Sequence, residues 1–151
     1  EKQVIFGLGD VTLSSRVLEG EYPDYEKIIP KTSALKIFID REDLLRAIKL
    51  SAPFARENSN IVKLKALKDS IKISAESSQA GNQETKVDAK VEGNEKDFEI
   101  SFNYKFVEDF LGSVKGEEIK MEFSSTDKAG VFLDSQDNDY LHLVMPVRIQ
   151  S

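Results

Sequence analysis

Residues 35–52 read LKIFIDREDLLRAIKLSA, and the pattern changes at Asp40. Leu35 to Ile39 is a strand, rich in β-branched and aromatic residues. Asp40 offers a side-chain acceptor to the free N–H groups that open a helix. Glu42 and Asp43 add negative charge to its first turn, where the helix dipole favours it. Leu44, Ala47, Ile48, Ser51 and Ala52 then recur at helical spacing as an inward stripe. Pro53 has no N–H and is expected at or beyond the helix end. A second strand-to-helix step follows. Asp97 to Phe102 alternates, Asn103 is a cap, and Phe106, Val107, Phe110, Leu111 and Val114 make the apolar face of a second helix with Gly116 as its stop.

Between and after these steps the chain reads as strands at residues 61–66, 70–76, 85–91, 118–124, 130–135 and 140–147, with an interruption at Gly81-Asn82-Gln83. The order over residues 31–149 is β-α-β-β-β-β-α-β-β-β. Few strands alternate singly with helices, which disfavours a doubly wound parallel sheet. The reading is an α+β fold: an antiparallel sheet with two helices packed on one face, without a short-period repeat. Upstream, Val4, Phe6 and Leu8 alternate up to Gly9-Asp10, and Val11, Leu13, Ser15 and Val17 alternate after it. A hairpin alone cannot bury its apolar face. Residues 1–30 therefore read as the tail of a preceding domain, 31–149 as a complete unit, and 150–151 as a tail.

The composition narrows the chemistry. Hydrophobic residues are 40% and charged residues 32% of 151, enough for a core under an ordinary polar surface. The sequence contains neither a membrane-length apolar run nor a signal-peptide pattern, and it starts at Glu1 inside a strand pattern, as if cut from something longer. The absence of Cys removes disulfides, thiolate nucleophiles and Cys-based zinc sites, and fits a cytoplasmic protein. A net charge of −6 argues against a tight grip on DNA by this chain alone, although an acidic body can carry a local basic stripe. Gly7-Leu8-Gly9 lacks the later glycine of a nucleotide fingerprint, and Asp134–Asp139 lacks the central Gly and terminal Glu of a calcium loop. Glu117-Glu118 is an ordinary acidic pair. His142, the one histidine, sits between Leu141 and Leu143 with no second ligand in sequence and reads as a surface or satisfied residue. No nucleophile–base pairing is visible, so neither an enzyme nor a metal or cofactor is expected.

Three segments carry a resemblance. Gly20-Glu21-Tyr22-Pro23-Asp24-Tyr25, followed by Ile28-Ile29-Pro30, resembles the bridge between the second and third domains of bacterial sliding clamps, the β subunits of DNA polymerase III. Leu143-Val144-Met145-Pro146-Val147-Arg148-Ile149 resembles the C-terminal signature of that family. Asp43-Leu44-Leu45-Arg46 through Asn60-Ile61-Val62-Lys63-Leu64 resembles the first helix and next strand of the third domain. The resemblance spans nearly the whole chain. It implies a non-catalytic processivity factor that encircles duplex DNA without sequence preference, as a head-to-tail homodimer of three-domain subunits. It also implies that polymerase subunits, clamp loader and repair proteins dock through linear peptides. Residues 1–30 would be the last hairpin and linker of the middle domain. The chain by itself is expected to be a monomer and to bind peptide more weakly than a full clamp.

By motif position, the resemblance puts Pro23, Lys27, Ile28, Phe106, Gly130, Leu143, Val144, Met145, Pro146, Val147, Arg148 and Ile149 at the peptide cleft. The residues agree in kind. Leu143, Met145, Val147 and Ile149 are more apolar than a free end needs, and Pro146 marks an edge or the end of strand pairing. Met145 adapts to varied anchors, and Arg148 can donate to a peptide carbonyl or a glutamine. Leu143 and Val147 read equally as core residues of a last strand, whereas the resemblance favours the cleft for Pro23, Met145 and Arg148. One buried Leu or Phe anchor contributes about 1.5–3 kcal/mol, whereas micromolar affinity needs about 8, so a second wall must contribute. Arg46, Lys49 and Lys105 lie off the apolar helix stripes, either as a weakly basic lining for DNA or as solvated side chains. Phe54 and Ala55 fall where the family places apolar residues at the subunit interface, although Phe54 also fits as a cap on the core. Glu84 is the one carboxylate in Gly81–Lys86, where relatives often carry an acidic run. Two other readings remain: a stand-alone peptide-binding α+β module, and a hydrolase using carboxylates and His142.

Overall fold

The computed structural model describes residues 2–22, 24–93 and 97–148. A hairpin of β1 (Gln3–Leu8) and β2 (Val11–Arg16) leads into a 3-10 turn at Tyr25–Lys27. Then follow β3 (Leu35–Asp40), α1 (Arg41–Ala55), β4 (Ile61–Ala66), β5 (Ser70–Ser77), β6 (Gly81–Asp88), β7 (Lys90–Gly93) and β8 (Glu99–Asn103). The chain continues through α2 (Tyr104–Ser113), β9 (Glu118–Phe123), β10 (Gly130–Asp134) and β11 (Asp137–Val144). All pairing is antiparallel, so the α+β class holds. The strands after the hairpin divide between two sheets, ordered β11-β10-β9-β3-β7 and β6-β5-β4-β8. The division falls at Ala89, inside the run 85–91 that reads as one strand. β6 pairs with β5, whereas β7 crosses over to pair with β3.

The two sheets are interlocked. β3-α1-β4-β5-β6 and β8-α2-β9-β10-β11 share one order, strand, helix, three strands. The first strand of each half pairs in the other half's sheet, β3 with β9 and β8 with β4. This repeat is topological and has no short sequence period. The helices run antiparallel. Arg41 at the start of α1 donates from Nη1 to the Leu111 carbonyl near the end of α2 (3.1 Å), and the Tyr104 N–H that starts α2 donates to the Asn60 carbonyl just past α1 (2.9 Å). Arg41 thereby places a cation at the negative end of α2, whose last turn has none of its own. Both caps form: Asp40 accepts from the Asp43 N–H (2.9 Å) and Asn103 from the Lys105 N–H (3.1 Å).

Leu44, Ala47, Ile48, Ser51 and Ala52 are buried, as their spacing predicts. Three expectations need correction. Pro53 lies inside α1, where its exposed ring takes the hydrogen-bond partner of the Lys49 carbonyl away on the solvent side. Phe106 is 54% exposed and off the inward stripe of α2, which Tyr104 fills instead. Gly116 does not stop α2, which ends at Ser113 with Val114 already extended. Gly116 is small because a Cβ there would collide with the Asp134 carboxylate.

Asp134 is buried, and it joins β10 to the segment after α2. It accepts from the N–H groups of Gln136 (2.9 Å), Gly116 (3.1 Å) and Lys115 (3.2 Å). The Gln136 N–H above all holds this carboxyl below the usual range, against the opposing effect of burial. The hairpin is different. Its register puts Val4, Phe6, Leu8, Val11 and Leu13 on one face, and all are exposed. Among the described residues, no helix is long and apolar enough to cross a membrane.

Asp134→Ala leaves three N–H groups without their acceptor and is expected to cost about 1–3 kcal/mol in urea unfolding. A carboxyl whose folded-state pKa is depressed stabilises fully above its unfolded value, and that stabilisation is lost as pH falls through the lowered one. Asp134→Asn should therefore flatten the acid side of the stability–pH curve. Gly130→Ala puts a Cβ 2.8 Å from the Phe123 ring and 3.1 Å from Phe102 and Phe132. The same unfolding measurement should show a loss of about 1–3 kcal/mol from overpacking.

Candidate functional site

β11 is the edge strand of the five-stranded sheet and stops at Val144, three residues earlier than its sequence pattern suggests. Pro146 has no N–H for the ladder, and the Val147 N–H donates instead to Ser101 of β8 (2.8 Å). The tail thus leaves one sheet and fastens to the other. Strand parity sorts the side chains before it. Tyr140, His142 and Val144 face the helices. Leu141 and Leu143 face outward, paired across the ladder with Leu133 and Val131. The rest of this outer face is charged, with ion pairs Lys90–Glu92 (2.7 Å) and Lys120–Glu122 (2.5 Å) around Phe38. An apolar strip therefore lies along the sheet edge, directly before the tail.

The structure brings Phe106 and the tail segment to the same end of the fold. Phe106 stands in the first turn of α2, immediately after the strand that Val147 bonds. Met145 is 58% exposed, Arg148 is exposed, and Leu143, Pro146 and Val147 are half-buried. Gly130 and Val144 are corrections to the expected contact set. They are buried opposite each other in the ladder, so they form a floor rather than a surface. The missing side chain at Gly130 is what lets the Phe102, Phe123 and Phe132 rings close beneath. Arg148 lies near enough to Asp127 to add to the pull of the Ser125 hydroxyl, which chiefly holds that carboxyl below its usual range. Lys27 and Ile28 are exposed at the 3-10 turn, where their bonds are local: Lys27 pairs with Asp24 (3.0 Å), and the Ile28 N–H donates to Tyr25. Pro23, Ile149 and the tail residues Gln150 and Ser151 lie outside the described residues.

Behind this surface, His142 packs on the Phe110 ring (5.4 Å between centroids) and lies beside the Phe106 backbone. Burial holds its imidazole below the ordinary value, against the pull of the Asp109 carboxylate and the Phe106 backbone. Leu133 and Leu141, outward on the edge beside the buried Val131, are further apolar positions that the motif does not include. The available signal was Val131-Phe132-Leu133 against Leu141 and Leu143-Val144: apolar residues on both parities, where a strand with one wet face alternates.

The other predicted positions separate into two groups. Arg46, Lys49 and Lys105 are exposed on α1 and α2. Arg46 is paired with Asp43 (3.0 Å), and Glu42, Asp43 and Asp109 are exposed on the same helices, so the helical face is mixed in charge. Ala55 is fully buried, which overturns its expected place at a subunit interface: it sits in the core at the end of α1. Phe54 packs partly against that core. Glu84 is exposed on β6, the edge strand of the four-stranded sheet, and pairs with Lys72 (2.8 Å). Gln83 of the same strand reaches Ser51 of α1 (2.6 Å). Among the described residues, no cluster of potential metal ligands is found.

A family model described as the DNA polymerase III beta subunit, C-terminal domain, matches residues 26–148. A beta sliding clamp from Staphylococcus aureus is 34% identical over 148 residues, covering 97% of this chain and 39% of that protein. The crystal structure of the DNA polymerase III beta subunit from Thermotoga maritima superposes with a TM-score of 0.83 at 30% identity, over 98% of this chain and 40% of that one. The DNA polymerase sliding clamp from Bacillus subtilis gives 0.80 at 33% identity, over 99% and 40%. The chain therefore spans about two fifths of the length of these relatives. With most of its residues inside the family match and an identity of one third to a curated relative, this chain belongs to the DNA polymerase III beta subunit family and carries its C-terminal domain.

Proposed function

We propose that the chain serves as the C-terminal part of a sliding clamp, a non-catalytic cytoplasmic factor that keeps a DNA polymerase on its template. Its own contribution is one wall of a docking groove for linear peptides from polymerases, clamp loader and repair proteins. The observation that carries this reading is the edge of the five-stranded sheet, where Leu141 and Leu143 lead into the exposed Met145, at the end of the fold that also carries the exposed Phe106. An edge strand followed by an apolar tail suits a peptide that needs a few anchors and some backbone contact. Residues 1–30 fit the role of hairpin and linker of a neighbouring domain, because the apolar face of β1 and β2 is uncovered. In a closed dimeric ring, Arg46, Lys49 and Lys105 would face duplex DNA. Their mixed acidic surroundings favour loose, water-mediated attraction, which permits sliding. Phe54 and Glu84, with the open edge of β6, would face the next subunit, and without that partner the chain is a monomer. A stand-alone module is not favoured, since the matched relatives are clamps along nearly all of this chain.

The test is fluorescence anisotropy of a labelled peptide carrying one glutamine and two apolar anchors, Leu and Phe. Met145→Ala removes buried contact and should weaken binding roughly tenfold, with Arg148→Ala losing about three- to tenfold. Undiminished affinity in both folded variants contradicts the docking reading.

A further inference from the structure

Four side chains and backbone groups connect β11 to α2 behind the proposed groove, and His142 is at their centre. The Tyr140 ring stacks on Phe110 (6.2 Å, 3° between planes). Its hydroxyl lies 3.1 Å from Ser113 Oγ and 3.4 Å from His142 Nδ1. Ser113 spends its own proton on the Phe110 carbonyl (2.8 Å), so Tyr140 carries the one hydroxyl proton left for two acceptors. A neutral imidazole with a bare Nδ1 is one of them, and its other nitrogen is free to donate. The ring lies beside the backbone of Phe106, whose side chain forms the exposed wall. Leu143 and Met145 follow one and three residues later on the same strand and tail.

We infer that His142 is a positioning residue of the docking wall, which ties the first turn of α2 to β11 and so fixes Phe106 relative to the tail that carries Met145, acting as a neutral imidazole. This rests on the docking function proposed above. The groups that face the ring are consistent with a neutral state. Phe110 and the Asp109 carboxylate come from α2, and Tyr140 comes from the same strand. Across the ladder on β10 stands Phe132, which carries no charge. Asp109 is the only charged group among those named, and it favours protonation, while burial opposes it more strongly. Apolar anchors seated over Phe106 and Met145 exclude further water from the ring. The bound chain then disfavours the imidazolium more than the free chain does. By linkage, a protonated His142 must shed its proton to dock peptide, so affinity is full above the free-chain pKa and falls below it.

Because the chain has one histidine, its ring signals are unambiguous in a proton–carbon NMR spectrum. The experiment titrates the 151-residue chain from about pH 8 to about pH 5, the range in which imidazole responds, with and without the labelled peptide at saturation. His142 should titrate at lower pH when peptide is bound. Anisotropy should show affinity falling by up to about tenfold per pH unit below the free-chain value, the slope of a single proton. His142→Ala should lose about three- to tenfold at high pH, whereas His142→Asn or His142→Gln should restore most of it and abolish the pH dependence. A ring that titrates identically with and without bound peptide overturns the inference and leaves the docking function standing, even if the alanine variant fails to fold. Absence of any binding at high pH by the unaltered chain overturns both.

Discussion

The ladder between β3 and β9 holds the two halves of the fold together, and the rest of the structure depends on it. Leu35, Ile37 and Ile39 face Phe123, Met121 and Ile119 in register, and all six are essentially inaccessible to water. The matching exchange of β8 onto β4 means that neither sheet is complete without residues from both halves. Slipping this register by one residue would turn the apolar set outward, so burial fixes it strongly. The helices follow from the same constraint. They lie antiparallel because each follows the exchanged strand of its own half, and Arg41 and Tyr104 fasten their ends.

This arrangement also creates the candidate site. With β3 and β9 central, β10 and β11 are built outward until β11 has no further neighbour. Its edge is exposed, which is normally a liability managed by charge or by a covering element. Here the strand ends at Val144, Met145-Pro146 follows, and the chain bends away to bond Ser101 of the second sheet. The tail thus blocks continued pairing while leaving Met145 in solvent, at the end of the fold where Phe106 is also exposed. The buried pair Gly130–Val144 supports this edge from below, and Asp134 clamps the far end of β10 to the segment after α2.

Local signals were readable in the sequence, and tertiary ones were not. Asp40 and Asn103 announce both helix starts, because an N-cap acts on N–H groups two or three residues away. The stripe from Leu44 to Ala52 is equally local. The split at Ala89 depends on which distant strand each segment meets, so 85–91 reads as a single run. Gly116 looks like a helix stop until Asp134 is seen occupying the space of its missing side chain. Phe106 fits the apolar periodicity of α2 but lies on its open side, and Ala55 looks available at a helix end yet is enclosed by the core. At the candidate site, Met145, Pro146 and Arg148 stand out in the sequence through the family signature alone. His142 carries no such signal, because its partners Phe110 and the Phe106 backbone are distant in sequence.

Backbone amide NMR of the chain during titration with the glutamine, leucine and phenylalanine peptide tests the central claim most directly. Shift changes should concentrate on residues 141–148 and on the start of α2 around Phe106, leaving the outward face of α1 undisturbed. Changes centred on α1 and β6, with the last strand and its tail unaffected, would contradict it.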